Sequence, residues 1–413
     1  MRNKILILMT IACLGSCSTN KPVVPNYYST NEINYTDRVN NLLDQMTLEE
    51  KIGQLNLVDA GDITTGESRK LDFYELIRDG SAGGVFNLKS PEGIAKAQQI
   101  AIEETRLHIP LLVGMDVIHG YKTIFPIPLG LSSTWDMDMI QQTARVAAIE
   151  ASASGINWTF SPMVDISRDP RWGRIAEGSG EDAYLGSQIA KAMVYGYQKN
   201  DLSSSDTILS CVKHFALYGA VEAGRDYNTV DMSRVRMFNE YLPPYKAAID
   251  AGAGSIMPSF NDINGVPATS NKWLLTDLLR DQCGFEGLVV TDYTAIPEMI
   301  NHGVADNLQD ASAQAINAGT DMDMVGAGFY KTLEDSVDDD KVSIKTIDQA
   351  VKRILLAKFE LGLFDTPYEY GNNQKAKTDV FSQEHRNFAR KVASDSMVLL
   401  KNKENLLPLK NQV

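Results

Sequence analysis

What this chain has little of narrows its chemistry. Its 413 residues include only four cysteines, Cys13, Cys17, Cys211 and Cys283. That is no disulfide framework: Cys211 and Cys283 lie in apolar runs and read as buried thiols, and two thiols cannot make a zinc site. The five histidines, His108, His119, His214, His302 and His385, show no close metal-ligand spacing. A metal-dependent hydrolase is therefore a weak reading, and neither metal nor cofactor is expected. Basic side chains are outnumbered, 39 Lys and Arg against 53 Asp and Glu, for a net charge of −14. An acidic surface repels phosphate backbones, which argues against nucleic acid as a partner. Asp338 to Asp340 reads as a solvated loop. There is no internal repeat, no low-complexity tract, and no apolar run of the ~18 residues a membrane span needs.

The amino terminus carries a processing signal instead. Arg2 and Lys4 precede a short apolar stretch, 5–14, and then Gly15, Ser16 and Cys17. The run Leu14-Gly15-Ser16-Cys17 resembles the lipobox of bacterial lipoproteins, which implies a signal peptide over 1–17 and lipidation at Cys17. The alternative is an ordinary secretory signal with an incidental cysteine. Residues 18–34 lack apolar period and read as a tether. The expected location is the periplasm or the outer membrane, with the lipid as the membrane contact.

Beyond the tether, 44% hydrophobic content suffices for a large core. Short apolar runs alternate with longer helical patterns, the rhythm of βα units. Eight strands are predicted, at 54–58, 84–87, 111–115, 158–161, 208–213, 255–259, 288–292 and 321–324. Thr47-Leu48-Glu49-Glu50 is a capping box and Ser90-Pro91-Glu92 a second helix start. Helical spacing fills 136–152, 182–198, 233–251, 271–281, 306–318 and 343–363. The pattern suggests a (β/α)8 TIM-type barrel over 35–364, although a doubly wound open sheet reads similarly. The polar stretch 366–378 reads as a surface linker, followed by a helix over 382–400. Val398, Leu399, Leu400, Leu406 and Leu407 need a covering partner. We therefore expect 365–413 to be a linker and the start of a truncated second domain.

Polar groups interrupt the strand ends. Strand three runs into Asp116, strand five into Lys213-His214, and strand seven, Leu288-Val289-Val290-Thr291, into Asp292-Tyr293. In a parallel barrel these ends share one rim, where active sites are built. Each group singly could be a structural ion pair; together they suit a sugar. Carboxylates accept from vicinal hydroxyls, Lys and His donate, and an aromatic face packs on ring C–H bonds. Retaining glycoside cleavage needs a carboxylate nucleophile held rigidly under the sugar, which Asp292 satisfies.

Five segments resemble glycoside hydrolase family 3 in order. They are 46–55 (Met46-Thr47-Leu48-Glu49-Glu50-Lys51-Ile52-Gly53-Gln54-Leu55), Asp116-Val117-Ile118-His119-Gly120, Arg168-Asp169-Pro170-Arg171-Trp172-Gly173-Arg174, Val212-Lys213-His214-Phe215, and 287–293 around Asp292. Segments 119–126 and 227–232 are similar to bacterial periplasmic β-glucosidases within that family. The resemblance implies that Asp292 is the nucleophile and that Asp116, Arg174, Lys213 and His214 hold the terminal sugar. Tyr293 would border the leaving-group side and Asp226 would support the site. Glu177 and Glu181 read as ion-pairing partners of Arg171 or Arg174.

One departure from the family pattern matters. Multidomain members take their acid/base Glu from a second α/β-sandwich domain, and hexosaminidase members use a His in the loop after Lys–His. Here that loop, 216–224, has no His. The expected activity is release of nonreducing β-D-glucosyl residues from a β-glucoside or oligosaccharide. A β-xylosidase or exo-β-glucanase, or a non-catalytic sugar-binding lipoprotein, stays open at this point.

Overall fold

Thr47 shows how the chain starts its helices. Its Oγ1 accepts the Glu50 N–H at 3.3 Å while Glu50 Oε2 accepts the Thr47 N–H at 2.9 Å, and the helix Leu48–Gln54 follows. Four expected helices likewise begin one residue after a polar cap: Pro91–Glu103 after Ser90, Met137–Ala153 after Asp136, Ala183–Gln198 after Asp182 and Ile344–Glu360 after Ser343. Each cap oxygen accepts a first-turn N–H that would otherwise have no partner. The computed structural model describes residues 35–61, 72–371 and 373–409. It divides the chain into Met1–Ile33 and Asn34–Val413. The signal peptide, Cys17 and the tether lie outside the described residues. Among the described residues no helix is long and apolar enough to cross a membrane.

The eight strands alternate with these helices. They are β1 (Asn56–Asp59), β2 (Gly84–Phe86), β3 (Leu112–Met115), β4 (Trp158–Thr159), β5 (Leu209–Phe215), β6 (Ser255–Pro258), β7 (Leu288–Val289) and β8 (Asp323–Met324). All pair in parallel, from β8 through β1 in order to β7. A parallel bridge between Val290 and Met322 joins the two ends, so the sheet closes into a (β/α)8 barrel rather than an open sheet. Successive residues on a strand point to opposite sides. Leu57, Leu112, Trp158, Leu209, Cys211 and Leu288 fall in one buried cluster, while Val58, Val85 and Val113 pack in another with the helices 91–103 and 137–153.

The β7–β8 seam is laced by side chains. Asp321 Oδ2 accepts the Val289 N–H at 2.8 Å and an Arg280 N–H at 2.7 Å, while its Oδ1 accepts from Arg353 at 2.7 Å. Thr291 N–H donates to the Met322 carbonyl, and the Met324 N–H to Thr291 Oγ1.

Several expectations need correction. The helix over 233–251 is broken into Arg234–Arg236, a wide turn Met237–Tyr241 and Pro243–Asp250. Pro243 and Pro244 offer no N–H to carry the earlier ladder through. The linker stretch contains a short helix, Asn373–Asp379, and the helix after it, Gln383–Asp395, ends five residues earlier than expected. Met397, Val398, Leu399 and Leu400 lie beyond it and are exposed, Leu400 at 91%. Cys283 is only partly buried, unlike Cys211. The loop after β6 holds an unforeseen hairpin, Asp262–Ile263 with Val266–Pro267, turned by Asn264 and Gly265 at φ of 53° and 80°.

Candidate active site at the carboxyl rim of the barrel

The strand ends deliver their polar groups to one place. β3 runs into Asp116, β5 carries Lys213 and His214, and β7 leads to Asp292 three residues past Val289. The long segment after β4 supplies Arg174. Lys213 Nζ donates to Asp116 Oδ1 at 2.7 Å. Lys213 is almost wholly buried; burial alone would lower its ammonium, but the charges of Asp116, Asp292 and Glu177 carry it above the usual value. Arg174 meets Glu177 through two bonds, 2.7 and 3.0 Å, and its guanidinium lies 5.6 Å from the Tyr218 ring. Of the two expected orienting carboxylates, Glu177 takes that role. Glu181 is exposed, and Arg171 pairs with Asp169 instead.

Asp292 is 9% exposed. Its Oδ1 accepts the Tyr293 N–H at 2.7 Å. Among the described residues its Oδ2 has no hydrogen-bond partner and faces His214 Nε2, likewise without one, at 3.5 Å. Burial pushes the Asp292 carboxyl up to about 6, and the positive charges of Lys213 and Arg174 keep it from rising further. His214 is driven well below its usual value by burial first and then by those same two cations, so it is neutral.

Sequence reasoning missed what stands behind His214. Asp165 Oδ2 accepts the His214 backbone N–H at 2.9 Å and lies 2.8 Å from His214 Nδ1, and Tyr245 Oη lies 2.6 Å from Asp165 Oδ1. Burial pushes Asp165 up to about 7. The available signal was a single carboxylate inside the apolar run Pro162-Met163-Val164-Asp165-Ile166, since Asp is rarely fully buried without a partner. Glu298, half-buried on the helix Ala295–Asn301, was also missed; burial and the Asp292 charge push it up to about 7.

Aromatic rings line the approaches. Tyr293 lies 6.3 Å from Phe86, which lies 5.5 Å from Phe160. Tyr227, exposed, packs on Phe260 at 4.5 Å and near Tyr218 at 6.4 Å. Trp172 Nε1–H donates to Asp226 Oδ1 at 2.9 Å, which sets Asp226 beside the Arg174 segment. The six residues expected to serve one site, Asp116, Arg174, Lys213, His214, Asp292 and Tyr293, are thus held around one unpartnered carboxylate oxygen. Among the described residues no group of three or more His, Cys, Asp or Glu side chains is placed to hold a metal ion. Such a carboxylate, beside two cations, can attack an electrophilic carbon while its neighbours hold hydroxyls.

Comparison with known proteins identifies the family. Residues 47–357 match the model of the glycosyl hydrolase family 3 N-terminal domain. A periplasmic β-glucosidase of Salmonella typhimurium is 45% identical over 375 residues, 90% of this chain and 48% of that protein. A β-xylosidase of Formosa agariphila is 37% identical over 339 residues, 77% of this chain and 47% of that protein. The crystal structure of a Listeria innocua β-glucosidase with isofagomine superposes with a TM-score of 0.86 at 42% identity, covering 90% of this chain and 52% of that one. The chain spans about half the length of these relatives.

Proposed function

The chain belongs to glycosyl hydrolase family 3, and on that footing we propose that it releases terminal, nonreducing β-D-glucosyl residues with retention, through a covalent bond between Asp292 and the sugar. The observation that carries the reading is the free Oδ2 of Asp292, buried at the end of a barrel strand between Lys213 and Arg174. In the first step Asp292 Oδ2 bonds to C1, the glycosidic bond breaks, and the leaving oxygen takes a proton from a general acid. In the second, the deprotonated acid takes a proton from water as its oxygen attacks C1, and Asp292 leaves as carboxylate. Asp116, Arg174, Lys213 and His214 bind the sugar hydroxyls, and Tyr293 borders the leaving group. Because Asp292 is already held by the Tyr293 N–H, little reorganisation precedes attack.

We propose that the general acid comes from a second domain, like that of multidomain family members. A second source has one observation in its favour, the Glu298 carboxyl, held protonated near neutrality beside Asp292. Glu298→Gln would cost about 10²–10⁴-fold on poor leaving groups alone if Glu298 were the donor; we expect a change below about tenfold on all of them.

The decisive experiment uses a dinitrophenyl 2-deoxy-2-fluoro-β-glucoside, whose leaving group needs no acid. Mass spectrometry should find a covalent adduct on the peptide bearing Asp292. Reversible binding without an adduct would mark a sugar-binding protein instead. The Formosa relative named a β-xylosidase supports a second sugar, and paired nitrophenyl glucoside and xyloside assays separate the two. The leader and the periplasmic name of the Salmonella relative support export to the cell envelope, with lipid on Cys17. Labelled palmitate that persists after Cys17→Ala would rule out that anchor.

A further inference from the structure

Behind the sugar site lies a buried group that the mechanism above does not use. Asp165, His214 and Tyr245 are all buried, none more than about 1% exposed. Tyr245 Oη lies 2.6 Å from Asp165 Oδ1 and 2.6 Å from the His214 carbonyl oxygen. A phenol has one proton, and both neighbours are ordinarily acceptors. A carbonyl oxygen cannot donate, so Tyr245 donates to it and must receive a proton from Asp165 Oδ1. The other carboxyl oxygen, Oδ2, accepts the backbone N–H of His214 and faces its Nδ1 at 2.8 Å. Nδ1 therefore carries the imidazole proton.

We propose that Asp165 is a positioning residue, kept as the neutral carboxylic acid, that fixes His214 as the Nδ1–H tautomer and so presents Nε2 to the sugar as a hydrogen-bond acceptor. The surroundings agree. The charged groups acting on Asp165 are Arg174 and Glu177, and those acting on His214 are Arg174 and Lys213, with Asp292 opposite Nε2. Among the described residues no cation is hydrogen-bonded to Asp165, and burial holds it up to about 7. Two acceptors, Nε2 and Asp292 Oδ2, then face each other 3.5 Å apart. This pair suits a substrate hydroxyl that donates, the opposite polarity from the donor role that a sugar-binding histidine suggests. The ligand part of the inference rests on the glycosidase reading; the tautomer does not.

The test separates the two. In protein labelled with ¹⁵N-histidine at pH 6, the His214 ring signals are assigned by their loss in His214→Gln. We expect a protonated Nδ1 and a bare Nε2; a protonated Nε2 overturns the proposal, whatever the activity. A carboxamide mimics a carboxylic acid, its NH₂ donating to Tyr245 and its oxygen accepting from His214. Asp165→Asn should therefore keep the tautomer and hold kcat/KM within about threefold, whereas Asp165→Ala should mix the tautomers and lose tenfold or more, mainly through KM. Where an ionised aspartate orients a histidine, the Asn change imposes the wrong tautomer and costs on the order of 10⁴-fold. A folded Asp165→Asn protein that fails like the Ala variant would overturn the proposal. Wild-type protein with the expected tautomer but no turnover of any glycoside would sink the glycosidase reading alone.

Discussion

Replacing Asp292 by Asn should make the protein inactive and more stable. Burial raises the carboxyl from an ordinary 3.8 to about 6, net of the attraction of Lys213 and Arg174. The folded state therefore prefers the protonated form, and ionising Asp292 at neutral pH costs about 3 kcal/mol of stability, two pKa units at 1.36 each. The sign follows from that preference. Well below pH 3.8 the group is neutral in both folded and unfolded chains and nothing is lost. The penalty grows as pH rises from 3.8 to about 6 and is complete above. Asn is neutral throughout, and its NH₂ can donate to His214 Nε2. With about 2 cal/mol/K of unfolding entropy per residue, a chain of this size gains about 4 °C in Tm. The assay is thermal unfolding of wild type and Asp292→Asn at pH 7.5 and pH 4. The gain should be present at the higher pH and largely lost at the lower, with turnover reduced on the order of 10⁴-fold or more. A variant less stable than wild type at pH 7.5, or a gain undiminished at pH 4, would refute the reasoning.

The remaining predictions concern catalysis and the barrel frame. Since Asp292 must be ionised to attack and its carboxyl sits at about 6, kcat/KM should fall as pH drops through about 6; a flat profile down to pH 4.5 would contradict it. Lys213→Met should leave a folded protein, because Asp116 is 44% solvent-accessible and can be hydrated, yet lower kcat/KM about 100-fold; circular dichroism and nitrophenyl glucoside kinetics check both halves. Asp321→Ala strands Arg280 and Arg353 and frees the Val289 N–H, so about 3–5 kcal/mol should be lost in urea unfolding. An unfolding midpoint within experimental error of wild type would remove the seam from the stability argument.

The barrel was readable because its cues are local. Polar caps at Thr47, Ser90, Asp136, Asp182 and Ser343 mark helix starts, and β-branched runs mark strands. The site was readable where a charged residue interrupts an apolar strand end, as at Asp116, Lys213 and Asp292. What escaped depended on distance. Asp165 and Tyr245 stand 80 residues apart and meet only through folding, so neither reads as part of a site. The break at Pro243-Pro244 and the Asn264-Gly265 hairpin did carry signals, but a helical spacing of apolar side chains over 233–251 masked the first. Helix 373–379 has Ala376 as its one apolar residue, with no apolar stripe to betray it.

The seam between β7 and β8 gives the nucleophile an unusual footing. A single bridge, four backbone hydrogen bonds and a few side-chain ties close the ring there, where the other neighbours share two to four paired residues. Breathing of the molecule should thus begin at this joint, and Asp292 stands only two residues past it. Amide exchange at Val290 and Thr291 ought to outpace that at Val85 and Val113. Substitutions at the floor of the barrel, far from any bound sugar, would then surface as slower turnover with every contact to the ligand still in place.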